Sequence, residues 1–370
     1  MRLFAQDLTT DTLQHIAARG LSEAGGPKPL LLRVLVDLFV RRPSHSDDEI
    51  QHFAEIAHSI LPCATRAEID HAAERLCMHP AAPGELVDLL ASRGGEGALL
   101  LLAKCRRLST SVLQNAAVAG PPEAACAVAG RDDLDAATID LLAARPESAI
   151  SLALVENKCA PLPAPLLTQL VNRARHDTPL ARALCRRMPH RAETLGLFLQ
   201  ASRSDRLLMM TAARMRADEE NGLLQEPEHD EQTNLGKLVT ASASTPASFA
   251  DLLAQALGCA PDMAERITQD RGGEPLLVVL RALGADAALV TEIMRKVAGD
   301  LTEGQAAWRE ALAASLSRHT ACMILHAVLE TGMTGMDHLP LHDQSMHGSS
   351  MACAPLTTFA EQKLQQSLSA

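Results

Sequence analysis

The sequence predicts an all-α protein, an α-solenoid of short helical hairpins followed by a smaller helical C-terminal module. Three observations predict it. The apolar residues are mostly Leu and Ala, with six Phe, one Trp and no Tyr; strands favour β-branched and aromatic residues, whereas Ala and Leu are the strongest helix formers. Hydroxyl–x–x–Glu signatures stand immediately before amphipathic runs. A set of Pro/Gly breaks recurs at nearly constant spacing.

In chain order, Leu30 to Val40 is a short apolar run interrupted by Arg33 and Asp37. It reads as a buried amphipathic helix, too short and too charged to span a membrane. Ser46-Asp47-Asp48-Glu49 and Thr65-Arg66-Ala67-Glu68 are capping boxes and predict helices over 46–60 and 65–78, separated at Pro62. Residues 1–62 are read as N-terminal helices.

A repeat array is read over 63–216. Four segments align, beginning at Ala82, Leu108, Leu134 and Leu162, with starts 26, 26 and 28 residues apart. Each opens a short apolar helix, such as Leu86–Ala91 or Ile139–Ala144. A break follows at Gly94-Gly95, Gly120-Pro121-Pro122, Pro146 or Asp177-Thr178-Pro179, and then a second helix. Two short helices cannot bury their apolar faces alone, so neighbours must stack. The period is shorter than that of common helical-hairpin repeats, which predicts compact helices of about two turns.

Residues 217–234 are read as an acidic linker, because 218–231 holds seven carboxylates and no Lys or Arg. A helical module over 235–330 follows. Thr245-Pro246 and Gly258 bracket its first helix as N-cap, N1 proline and C′ glycine. Further helices are expected near 261–270, 274–283, 286–298 and 303–330, the last opened by the capping box Thr302 to Gln305. Residues 331–370 turn to Met, His, Gly and Ser and read as a flexible tail.

The stretch from Cys77-Met78-His79-Pro80 to Met188-Pro189, with Arg131-Asp132-Asp133-Leu134 inside it, resembles an alphaproteobacterial family of helical-repeat proteins. So do Ala254 to Gly258, Glu274-Pro275-Leu276 and Leu280 to Gly284. Together these elements cover about two thirds of the chain. That family carries a domain of unknown function with HEAT-like character. The resemblance implies HEAT-like repeats and a bacterial origin, and it brings no catalytic residues with it.

Composition excludes several functional classes. A net charge of −11 speaks against coating nucleic acid along the whole chain. Nine cysteines, an odd number with no C-x-x-C pair, indicate a reducing compartment. The N-terminus MRLFAQDLTTDTL lacks the basic-then-apolar pattern of a signal peptide, so the expected location is the cytoplasm. No phosphate-binding glycine loop, nucleophile elbow or H-E-x-x-H occurs, and the chain is read as no enzyme and as holding no cofactor.

Two metal-like patterns are read as structural. Glu-x-x-His occurs at Glu49/His52, Glu55/His58 and Glu68/His71, but Glu49 and Glu68 serve as capping residues. The side chains from 49 to 58 also advance by three, so they wind round the helix instead of converging. The Met/His tail from Met333 to Cys353 has irregular spacing.

The strongest functional signal is electrostatic. Between Arg173 and Arg216 stand ten arginines, no lysine and three acids, a local charge of +7. Arg suits bidentate binding of carboxylate and phosphate. Arg173, Arg175, Arg182, Arg186, Arg187 and Arg191 are therefore the candidate partner-binding residues. The function read from them is a non-catalytic scaffold or regulatory adaptor that holds an acidic protein partner. The alternative is a cytoplasmic sensor that takes a phosphorylated small molecule or nucleotide at the same arginines. The chain's own acidic stretch, 218–231, is the nearest segment able to cover them.

Overall fold

A computed structural model describes residues 31–220, 238, 240, 246–298 and 302–333. Among these residues 75% are helical and none lies in a strand, so the fold class is all-α. None of the described helices is by itself long and apolar enough to cross a membrane. The Met/His tail and most of the acidic segment lie outside the described residues. The chain divides into two compact units, residues 1–173 and 174–370. The break falls within the stretch read from sequence as one array over 63–216.

Unit 1 begins with α1 (Leu31–Val40), α2 (Asp47–Ile60) and α3 (Arg66–Leu76). Both predicted capping boxes form. The Ser46 and Thr65 hydroxyls accept from the backbone N–H of Glu49 and Glu68, whose carboxylates accept from the Ser46 and Thr65 amides. Pro62 sits in a 3-10 turn, Leu61–Cys63, between α2 and α3. Then come α4 (Gly84–Ser92), α5 (Gly95–Lys104), α6 (Thr110–Ala119), α7 (Pro122–Ala129), α8 (Ala136–Ala144), α9 (Ser148–Glu156) and α10 (Ala164–Ala174). These are helices of two to three turns, and those from α4 to α9 are ended by Gly or an extended cap residue.

Their packing follows a simple alternation. The odd-numbered helices stack in sequence, α1 on α3, α3 on α5, α5 on α7 and α7 on α9. The even-numbered ones do the same from α2 through α8. The side chains that make this possible recur in phase. Gly97, Ala98, Leu101 and Leu102 are buried on α5, Ala124, Ala125, Val128 and Ala129 on α7, and Ile150, Ser151, Leu154 and Val155 on α9. Positions i, i+1, i+4 and i+5 form one helical stripe. The small members let the helices approach, and each buried Leu or Val contributes about 1.5–3 kcal/mol. The hairpin break before α5 needs glycine, since Gly94 and Gly95 have φ of 73° and 83° and a Cβ at Gly95 would overlap the Arg66 guanidinium.

Side chains tie neighbouring helices end to end. Arg131 Nη1 donates to the Leu102 carbonyl at 2.8 Å, Arg145 Nη1 to Gly120 at 2.7 Å and Arg173 Nη1 to Arg145 at 2.7 Å. Asn157 Nδ2 donates to the Ala129 carbonyl at 2.8 Å, and Arg107 reaches that of Pro80. The last carbonyls of a helix have no intrahelical partner, so donors placed there satisfy them, and a cation also complements the helix dipole.

Unit 2 is built differently. It contains α11 (Thr178–Arg187), a 3-10 stretch Ala192–Leu197, α12 (Arg203–Glu220), α13 (Pro246–Leu257), α14 (Pro261–Thr268), α15 (Glu274–Ala282), α16 (Ala287–Ala298), α17 (Glu303–Ser315) and α18 (Arg318–Met333). The centre is α15, buried from Glu274 through Leu280 and packed by α14, α16, α17 and α18. A helix apolar on all sides belongs in a core. As predicted, Thr302 and Gln305 form a capping box, and Gly258 follows α13 with φ 64°. The carboxylate-rich stretch does not begin as a linker: α12 carries through 217–220, with Ala213 and Ala217 buried on its inner face.

One expected element is corrected. Residues 303–330 were read as a single helix, whereas α17 and α18 meet at a 93° bend. Leu316 is extended, and its carbonyl accepts from Arg281 Nε and Nη2 at 2.9 and 2.7 Å. Ser317 Oγ then accepts from the Thr320 amide and starts the new helix.

Candidate functional site

The predicted arginines are placed on several different surfaces. On α11, the Asp177 carboxylate caps the Leu180 amide at 3.1 Å and Pro179 follows, which fixes the helix start. Leu180, Ala181, Ala183, Leu184 and Cys185 face the interior. Arg182 and Arg186, four residues apart, project from the opposite side and are exposed. Neither makes a hydrogen bond or ion pair with any described residue. Arg187 is half-buried, about 100° further round the helix. Arg191 lies exposed beyond the helix end, 3.4 Å from Glu193. Arg175 is half-buried and precedes α11. Arg173 belongs to unit 1, where it holds the Arg145 carbonyl and, at 3.1 Å, Ser151 Oγ.

Of the remaining arginines of the basic segment, Arg214 is exposed with no hydrogen bond or ion pair to described residues, and the other three are engaged. Arg216 donates to the His190 carbonyl. Arg206 is buried and donates from Nε to Phe198 O, from Nη2 to Leu199 O and from Nη1 to Asp270 Oδ2, at 3.0, 3.0 and 2.8 Å. Arg203 donates from Nε to Glu274 Oε1 at 2.8 Å. The local +7 is thus not one patch. It divides into interior ion pairs, carbonyl caps, an exposed pair on α11, and the exposed Arg191 and Arg214.

Sequence reasoning missed Asp270 and Glu274 as partners of this segment, since they lie 64 and 71 residues away from Arg206 and Arg203. Several Glu-x-x-His residues have protein partners: Glu49 also binds Arg42 at 2.7 Å, His58 Nδ1 bonds the Ala54 carbonyl, and His71 bonds Asp37 of α1 at 2.9 Å. Backbone hydrogen bonding at Ser46 and the Arg42 pair hold the Glu49 carboxyl below its ordinary value. Burial pushes the Cys185 thiol up to about 12, with Asp205 adding to the shift. A thiol in that state supplies no nucleophile at neutral pH.

Unit 1 holds an apolar groove of about 480 Å³ between the ends of α4 and α6 and the starts of α5 and α7. Ala98, Leu102, Val112, Ala116 and Ala124 line it. It opens because α6 buries only Ala117, where its neighbours bury four side chains. Glu123 is the charged residue of its lining, so an acidic partner finds no cation there.

Residues 98–326, more than half of the chain, match the model of a family described as an uncharacterised protein conserved in bacteria (DUF2336). No curated protein and no solved structure matches the chain.

Proposed function

The chain belongs to the DUF2336 family of uncharacterised bacterial proteins, and on that premise we propose that it is a non-catalytic scaffold or regulatory adaptor that holds an acidic protein segment on the exposed arginines of α11. One observation carries the reading: Arg182 and Arg186 stand exposed and without partners among the described residues, on one face of a helix whose other face is core. The chain as a whole carries a net charge of −11, against which two exposed guanidinium groups four residues apart on one helix face are a local positive feature. Two such forks at i, i+4 spacing accept carboxylates bidentately.

Unit 1 is the supporting array in this reading, an α-solenoid of HEAT-like hairpins. Its two stacked rows, the in-phase buried quartets and the carbonyl caps reaching across 25–29 residues support that assignment. We place the protein in an alphaproteobacterial cytoplasm on the reduced cysteines and the motif resemblance.

The test is affinity capture from native bacterial lysate with wild-type protein and with the Arg182→Glu/Arg186→Glu variant, compared by quantitative mass spectrometry. A protein retained by the wild type and lost from a folded variant supports the adaptor and identifies its partner. Identical capture profiles remove α11 as the contact surface.

A further inference from the structure

The charged cluster at the start of α15 leaves one buried guanidinium without a carboxylate partner. Glu274, the first residue of α15, has a fully buried side chain and takes Arg203 Nε at 2.8 Å and Arg206 Nη1 at 3.5 Å. Asp270 takes Arg206 through Oδ2, while its Oδ1 accepts the Gly272 and Gly273 amides at 3.0 and 3.1 Å. Both carboxylates are thereby occupied. A third guanidinium, that of Arg309 on α17, is 7% exposed and lies against this turn. A Cβ at Gly273, where φ is 80°, would come within 3.2 Å of its Nη2. Its one hydrogen bond is a long contact, 3.4 Å from Nη2 to the Gly272 carbonyl, and Nη1 is buried without a partner. Arg203, largely exposed, and the buried Arg206 thus take both carboxylates, Arg309 is left with none, and a buried polar group without a partner is costly. Burial pulls the Arg309 pKa down, with Glu274 opposing that shift and the nearby Arg203 adding to it.

The cluster reaches solvent at one side. Arg203 is 59% exposed, and its guanidinium stacks 4.5 Å above the ring of Trp308, itself 36% exposed. Arg203 uses Nε for Glu274, and its two terminal nitrogens make no hydrogen bond to described residues.

We propose that Arg203 and Arg309, beside Trp308, form a binding site for a phosphate-type oxyanion that supplies the missing negative charge. A tetrahedral oxyanion presents acceptors in several directions, so it bridges two guanidinium groups that do not share a plane, which a single carboxylate does less well. Arg203 lies over the Trp308 ring, and Arg309 is the next residue in the chain. Occupancy is thus coupled to the surroundings of Trp308. This site is separate from the α11 surface and does not rest on it.

Trp308 is the chain's one Trp, and there is no Tyr, so its emission reports this place alone. The full-length protein is titrated with inorganic phosphate and with pyrophosphate at constant ionic strength, with chloride and acetate as controls. The site predicts a saturable emission change with the phosphates and none with the controls. In Arg309→Met and Arg203→Gln the affinity falls on the order of tenfold or more, as expected for losing a charged hydrogen bond. The Arg182→Glu/Arg186→Glu variant binds as wild type, which keeps this proposal distinguishable from the adaptor reading. If Arg309→Met fails to fold by circular dichroism, Arg203→Gln decides. The proposal is overturned by an absence of saturable change confirmed calorimetrically, by an equal response to acetate, or by unaltered binding in the folded variants.

Discussion

In unit 1, Arg131, Arg145 and Arg173 each reach the carbonyl end of a neighbouring helix, whereas in unit 2 the buried Arg206 and Arg309 and the exposed Arg203 gather around Asp270 and Glu274. The first arrangement repeats with the helices and joins each only to its neighbour. Removing one cap leaves the next in place. The second concentrates charge at the start of a single central helix, so every member depends on the others. Unit 1 should therefore lose stability in small independent steps, and unit 2 in one large one.

The sharpest way to break this contrast is Arg206→Met. It leaves the buried carboxylate of Glu274 with Arg203 alone and takes from Asp270 its ion-pair partner. Breaking a buried pair by removing one partner costs about 3–5 kcal/mol. Urea unfolding followed through Trp308 reports unit 2 directly, and a loss below about 1 kcal/mol would show that the cluster is not interdependent.

Leu101→Ala is the corresponding test in unit 1. Leu101 is fully buried on α5, between α3 and α7, and its truncation should cost about 2–5 kcal/mol. Val112→Ala on α6 removes a side chain that is only partly buried beside the groove, and is expected to cost about 1 kcal/mol or less. Equal losses for the two, measured by urea unfolding with far-UV circular dichroism, would mean that the groove is filled in solution.

These regions also differ in how far they could be read beforehand. Capping boxes at Ser46, Thr65 and Thr302 are local, with donor and acceptor three residues apart, and all three were legible. The Pro/Gly breaks are local as well, and the buried stripes of α5, α7 and α9 lie at matching places between them. Helix α6 stands among these helices and yet buries only Ala117; its pattern alone does not tell a packed stripe from one bordering a groove. The Arg206–Glu274 pair spans 68 residues and joins elements whose approach no periodicity encodes. The α17–α18 bend was signalled by Ser317, an N-cap hidden inside an otherwise continuous helical pattern. At the candidate surface, the basic bias was visible, but composition could not separate Arg186, which faces outward, from Arg206, which points into the core.

A smaller effect sharpens the comparison at a cap that also carries an ion pair. The two hydrogen bonds from Arg131, buried and fixed by the Leu102 carbonyl, hold the Asp133 carboxyl below its ordinary value of 3.8. A depressed folded pKa adds stability that is present above the unfolded value and is lost as pH falls through the folded one. Wild type should therefore exceed Asp133→Asn in urea midpoint at pH 6, and the difference should shrink below about pH 4. A difference that grows on acidification contradicts the assignment.

The smallest expected effect on stability belongs to the residues proposed to carry function. Arg182 and Arg186 cap no carbonyl and enter no described ion pair, so the Arg182→Glu/Arg186→Glu variant should unfold within about 0.5 kcal/mol of wild type. Some loss is expected even so, because Arg186 lies in the last turn of α11, where a carboxylate opposes the helix dipole. Arg182→Gln/Arg186→Gln removes that opposition while still deleting the guanidinium forks. If the Gln variant retains wild-type stability and loses its partner, the two arginines are held on α11 for binding alone. If it loses stability comparably to Arg206→Met, α11 belongs with the interdependent interior of unit 2, and its exposed face is not a separate surface.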